Sequence, residues 1–157
     1  MELAGTANGT SCRFAVVVSR FNQDVTDGLL RGALAALAGA GVANGDVTIV
    51  RVPGAFELPV TALKLAESKR YDGVITLGCL IKGETMHFEY IAEACAHGIM
   101  QASTTTGVPV LFGVLTTTTE EQARERAAEN DDNKGREVAL AAVEMATLLR
   151  RLWQAAL

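Results

Sequence analysis

The sequence predicts an α/β domain in which helices cover both faces of a central parallel four-stranded sheet. Two patterns carry that expectation. Short runs rich in β-branched and aliphatic residues recur along the 157-residue chain, and each leads into a stretch whose apolar residues step at helical spacing. Alternation of this kind closes into right-handed crossovers, which put helices on both sides of a sheet whose inner strands are buried on both faces. No repeat, linker or shift in composition divides the chain, so residues 13–157 are expected to form one domain behind an arm of residues 1–12.

The first strand is Arg13-Phe14-Ala15-Val16-Val17-Val18-Ser19, apolar enough to be buried throughout. Val25, Leu29, Leu30, Ala33 and Leu37 mark the first helix, which ends near Gly39-Ala40-Gly41, where glycines suit a C-terminal cap. A second strand over 46–52 stops at Pro53-Gly54. Pro59 is tolerated only in a first helical turn, so Ala55-Phe56-Glu57-Leu58-Pro59 leads into a helix continued by Leu63, Leu65 and Ala66. The third strand lies near 73–79, and a long helix carrying Ile91, Ala94, Cys95, Gly98 and Ile99 ends about Gly107. Residues 109–115 read as the fourth strand, Thr116 to Thr119 as a hydroxyl-rich turn, and Glu120 to Ala128 as a polar helix. After the charged loop 130–133, the last helix places Val138, Ala142, Met145 and Leu149 on one side, while Arg150 and Arg151 complement its dipole. Residues 1–12 are too short and too polar to add a layer to their own core. A disordered arm and a strand added to a neighbouring subunit both stay open.

Charge and cysteine usage narrow the function. A formal net charge of −4 provides no general attraction for nucleic acid or an anionic membrane, so an anionic ligand must be held by local positive groups. The three cysteines, Cys12, Cys79 and Cys95, are odd in number and lack C-x-x-C spacing, which predicts reduced thiols, with Cys79 and Cys95 as small core residues. Residues 1–12 show no signal-peptide pattern, and no run is long enough to span a membrane. The expected location is the cytoplasm, or a plastid where a transit peptide has been removed.

The most informative stretch is Gly78-Cys79-Leu80-Ile81-Lys82-Gly83-Glu84-Thr85-Met86-His87-Phe88-Glu89-Tyr90, at the turn from the third strand into its helix. Ligands of open parallel sheets collect beyond the strands' carboxyl ends, where the next helix aims its free N–H groups and positive dipole end. Gly83 lets the backbone come close, Thr85 offers a hydroxyl, and His87 in the first turn is either a proton carrier near neutral pH or a solvent-facing helix residue. Glu57 either accepts hydrogen bonds from a polyol or amine, or caps its helix. Phe21 and Phe56 follow strand ends and suit stacking on a flat ring, whereas Phe112 reads as core packing late in its strand. Arg124 has Glu120 four residues before it, but Arg126 has only Gln122, so Arg126 is the freer guanidinium. Lys134 opens the last helix, where a cation opposes the dipole and points to an anionic partner. Lys64, Lys69, Arg70, Asp72 and the acidic residues of 129–132 read as solvated surface.

Taken together, Ser19-Arg20-Phe21-Asn22, Val52-Pro53-Gly54-Ala55-Phe56-Glu57-Leu58-Pro59, the 78–90 stretch, Phe112-Gly113-Val114-Leu115-Thr116, Glu121-Gln122-Ala123 with Arg126, and Asn133-Lys134-Gly135 resemble the 6,7-dimethyl-8-ribityllumazine synthase family over about residues 13–149. The resemblance implies a three-layer αβα, flavodoxin-like subunit assembled as a homopentamer, in some members as a decamer or a sixty-subunit icosahedral shell. It implies condensation of 5-amino-6-(D-ribitylamino)uracil with 3,4-dihydroxy-2-butanone 4-phosphate, releasing phosphate and water, without metal or organic cofactor. Riboflavin synthase is a candidate partner. Residue by residue, it implies that Phe21 stacks on the pyrimidine, that Ala55, Phe56 and Glu57 hold the ribityl chain, that Leu80 and Ile81 contact the ring edge, and that Asn22, Gly54 and Cys79 belong to the same pyrimidine and ribityl pocket. Gly83, Glu84, Thr85 and Arg126 would hold phosphate, with the Glu84 backbone N–H favoured over its side chain, and His87 would move protons. Phe112, Arg126 and Lys134 would come from an adjacent subunit. Glu84, Met86 and the acids of 128–132 depart from the small or neutral residues expected there. A non-catalytic flavin or lumazine carrier and an archaeal-type riboflavin synthase are the alternatives on this fold.

Overall fold

Phe14–Ser19 is buried at every position and forms strand β1, as an unbroken apolar run should. The computed structural model describes residues 1–155; residues 156 and 157, the end of the expected 13–157 domain, lie outside the described residues. Along the chain follow α1 (Gln23–Gly39), β2 (Val47–Val52), α2 (Leu58–Glu67), β3 (Gly73–Ile81), α3 (His87–Thr106), β4 (Val110–Thr117), α4 (Glu120–Arg126) and α5 (Lys134–Gln154). The strands form one parallel sheet in the order β2-β1-β3-β4, with Phe14 opposite both Val47 and Gly73, and Val74 opposite Val110.

Strand alternation divides the interior in two. Phe14, Val16 and Val18 of β1 and Ile75, Leu77 and Cys79 of β3 face α1, α4 and α5. Ala15, Val17 and Val74 face α2 and α3. The edge strand β2 is mostly exposed, with Ile49 open to solvent, because it has a neighbour on one side only.

The α1–α5 contact is so close that a Cβ on Gly135 would overlap the Leu29 carbonyl oxygen. Asn133 seals the junction. It is buried, its Oδ1 accepts the Arg136 N–H at 3.0 Å, and its Nδ2 donates to the carbonyls of Gly28 at 3.2 Å and Ala128 at 3.0 Å. One side chain thus caps α5 and ties it to α1 and to the end of the α4 segment.

Several expectations need correction. β3 runs on to Ile81 and β4 to Thr117, because Leu80 pairs with Thr116 and Ile81 with Thr117; the hydroxyl-rich turn shrinks accordingly. α4 ends at Arg126 rather than Ala128. Asp72 is no idle surface acid, since it accepts the Arg13 N–H at 2.7 Å and the Arg150 guanidinium at 3.0 Å. In the single chain residues 1–12 lie along its own surface elements, with Cys12 fully buried in the α1–α5 core. Their small side chains permit it: Gly5 passes so close to α5 that a Cβ would overlap the Glu144 carbonyl. The Thr6 N–H donates to Thr147 Oγ1 at 2.8 Å, Arg151 donates to the Ala4 carbonyl at 2.6 Å, and the Gly9 N–H to that of Ala40 at 2.7 Å.

Gly135→Ala is expected to destabilise the fold by about 1–3 kcal/mol, because the methyl forces two helices apart. Gly39, where a Cβ meets nothing within 4 Å, is the control. Thermal unfolding should show a clear loss for Gly135→Ala and none for Gly39→Ala.

Candidate active site

Three successive turns meet beyond the carboxyl ends of β1, β2 and β3, and together they wall a cavity of about 430 Å³. The β1–α1 turn is held by two backbone bonds, the Arg20 N–H to the Val52 carbonyl at 2.8 Å and the Phe21 N–H to that of Pro53 at 3.1 Å. Asn22 then takes a left-handed conformation with φ 57°, which asparagine tolerates better than most residues. Its Nδ2 donates to the Cys79 carbonyl at 3.0 Å, locking this turn to the end of β3. Phe21 consequently stands at the rim, 66% exposed.

The β2–α2 turn presents Phe56, 60% exposed, and Glu57. Glu57 Oε2 accepts the Gly54 N–H at 2.9 Å, so the carboxylate is oriented by its own turn while it lines the cavity. From below, the Cys95 thiol of α3 donates to the Ala55 carbonyl at 3.3 Å.

In the β3–α3 turn the Lys82 N–H donates to the Thr117 carbonyl at 2.9 Å. Residues 83–86 are exposed, and α3 begins at His87, whose N–H donates to Thr85 Oγ1 at 3.4 Å. First-turn N–H groups of this twenty-residue helix lack intrahelical acceptors, which makes its start a place for an anion. His87 is exposed on the single chain and lines the cavity beside Gly83 and Thr85.

The cavity gathers Phe21, Gly54, Ala55, Phe56, Glu57, Leu80, Ile81, Gly83, Thr85 and His87. Asn22 and Cys79 support it without lining it, and Glu84 is exposed on the loop outside it. Phe88 and Ile91 line it as well. Their i, i+3 spacing at the start of α3 was the available signal for a shared face.

Arg126 and Lys134 lie elsewhere. They line a second cavity of about 540 Å³ together with Asp131, Asp132 and Glu137, on helices of the opposite layer. Arg126 donates to the Gln122 carbonyl at 3.0 Å and has no ion pair among the described residues, as the missing i−4 acid foretold. Arg124 pairs with Glu120 at 2.7 Å. Lys134 does have an acid on its own chain, Glu137 at 3.0 Å, which answers the unfavourable dipole without an outside anion. Phe112 is not core packing: it is the third residue of β4 and 41% exposed, because β4 is an edge strand.

All three cysteines are buried. Burial pushes the thiols of Cys79 and Cys95 up to about 11, with Asp24 adding to the effect at Cys79, so neither is a nucleophile near neutral pH. Folded thiols therefore stay protonated where unfolded ones ionise, and their contribution to stability is complete below about pH 9 and lost as pH rises towards about 11. In a labelling experiment at pH 8, the folded protein should resist alkylation at Cys79 and Cys95 and react after denaturation. Rapid labelling of either while the fold is intact would contradict this picture.

Two exposed aromatic rings, a carboxylate fixed by its own turn, and an imidazole at the start of a long helix thus border one cavity. The family model described as 6,7-dimethyl-8-ribityllumazine synthase matches residues 11–150, which include every one of these turns. The chain therefore belongs to the 6,7-dimethyl-8-ribityllumazine synthase family, transferases of riboflavin biosynthesis that form 6,7-dimethyl-8-ribityllumazine.

Proposed function

We propose that each catalytic pocket is shared between two copies of the chain, the cavity at β3 being completed by Arg126, Lys134 and Phe112 of a neighbour. One observation carries the reading: within a single chain His87 and Arg126 line different cavities, on elements packed against opposite faces of the sheet. A cavity with an imidazole and backbone N–H groups, but no guanidinium, is half of a site for a phosphorylated substrate.

In this reading Phe21 stacks on the pyrimidine of 5-amino-6-(D-ribitylamino)uracil, and Leu80 and Ile81 border the ring. The ribityl hydroxyls lie along Gly54, Ala55 and Phe56 and donate to Glu57, whose orientation by the Gly54 N–H favours this. The phosphate of the butanone sits against the backbone of Gly83 and Glu84, the Thr85 hydroxyl and the neighbour's Arg126. Attack of the amine on the ketone with loss of water to form the imine, elimination of phosphate, and ring closure with loss of a second water then require successive proton transfers, for which His87 is the group at hand. Orientation of two bound reactants supplies much of the acceleration.

The assembly that brings β4 and α4 of one chain to β3 of the next is a closed ring of five, alone or combined into a decamer or an icosahedral shell. Exposed Phe56, Val60, Tyr90 and Met100 favour such contacts. Residues 13–157 act as the catalytic domain and residues 1–12 as an arm. No helix among the described residues is long and apolar enough to cross a membrane. The three thiols support a reducing compartment, the cytoplasm, where riboflavin synthase would take up the product. Nothing in the geometry favours a carrier without turnover, which leaves His87 and Arg126 idle.

His87→Ala should keep the assembly while slowing lumazine formation by about 10²–10⁴-fold, the usual loss with an acid–base group. Unchanged turnover would remove His87 from the mechanism. Mixing Arg126→Ala subunits with Phe56→Ala subunits should restore activity above either variant alone, because some hybrid pockets then hold both intact halves. Complete failure in assemblies shown to be mixed would place the site within one chain.

A further inference from the structure

The ion pair between Lys82 and Glu89 has no task in the reading above. Lys82 Nζ stands 3.3 Å from Glu89 Oε1, and neither residue lines the cavity. The pair brackets the loop. Lys82 is the first residue beyond β3, where its own N–H is already tied to the Thr117 carbonyl, and Glu89 is the third residue of α3. Between them residues 83–86 are exposed and weakly held, with the Thr85 hydroxyl accepting from His87 at 3.4 Å and the Met86 carbonyl accepting from Tyr90 at 3.3 Å. Among the described residues this ion pair is the side-chain link that crosses the loop.

A second observation sharpens its role. Glu89 Oε2 is buried and has no hydrogen-bond partner, although the side chain as a whole is 43% exposed. A carboxylate with one oxygen enclosed and the other turned to an ammonium group has little freedom to swing away. Its charge stands in the first turn of α3. An acid there suits the helix dipole but repels any anion taken up by the same N–H groups. Both side chains are about half exposed, so the pair adds little to global stability. What it controls is local: the spacing between β3 and the helix start, and the charge that an incoming anion meets.

We propose that Lys82 and Glu89 are positioning residues for the anion-binding loop, their ion pair clasping the end of β3 to the first turn of α3 and cancelling the acid that would repel the phosphorylated ketone. This rests on the reading that the 83–85 turn holds the phosphate. With the full-length enzyme, KM for each substrate and kcat are measured for Lys82→Met, Lys82→Arg, Glu89→Gln and the Lys82→Met/Glu89→Gln double variant, and inorganic phosphate is tested as a competitor of the ketone in the wild type. Lys82→Met should raise KM for the phosphorylated ketone about five-fold, the upper range for a half-exposed charge pair, with KM for the uracil unchanged. Lys82→Arg should retain the wild-type value. The double variant should match Glu89→Gln alone, because removing the acid removes the repulsion that Lys82 masks. Losses that simply multiply in the double variant, or that fall equally on both substrates, overturn the clasp while phosphate competition leaves the anion site standing. Phosphate that fails to compete in the wild type overturns both.

Discussion

Burial of β1 and β3 between two helical layers is the constraint from which the rest follows. Both strands satisfy their backbone groups through parallel neighbours on each side, and their side chains are almost wholly apolar. No charged group is accommodated along their length. Chemistry is therefore displaced to the strand ends, and a parallel sheet places all the carboxyl ends together. The turns after β1, β2 and β3 are far apart in sequence, yet they become walls of one cavity for this reason alone.

These turns are braced by hydrogen bonds from their own residues and from neighbouring elements. Asn22 anchors the first to the Cys79 carbonyl, Glu57 closes the second on Gly54, and Cys95 supports it from α3. The third is different. It is the most exposed of the three, and an ion pair between Lys82 and Glu89 spans it. On the other side of the sheet, Asn133 and the close passage at Gly135 lock α5 against α1, so Lys134 is presented from a rigid helix start.

Electrostatics then distinguishes cations that look alike in composition. With a net charge of −4, the protein has no diffuse field to draw in a phosphorylated substrate. Arg126 donates to a carbonyl and has no ion pair among the described residues, whereas Lys134 and Lys82 each face a glutamate. A guanidinium's planar fork suits two oxygens of an anion at once, whereas an ammonium acts as a point charge.

Much of this was legible in the residues. β-Branched runs and helical periodicity located each strand and helix, Pro53-Gly54 and Pro59 marked the second turn, and the 78–90 stretch marked a turn that lines the cavity. These signals are local, determined by backbone sterics and side-chain branching. The ends of β3 and β4 were not legible, because Leu80 and Ile81 are strand only by pairing with Thr116 and Thr117. Nor were the exposure of Phe112, set by the sheet's edge, the work of Asp72, which depends on Arg13 and Arg150, or the burial of Cys12 by the arm. The sequence by itself determined the α/β class, the family motifs and the turns that wall the cavity. Only the tertiary structure decided that His87 and Arg126 of one chain stand in different cavities, since which face of the sheet a helix covers depends on crossovers between distant segments.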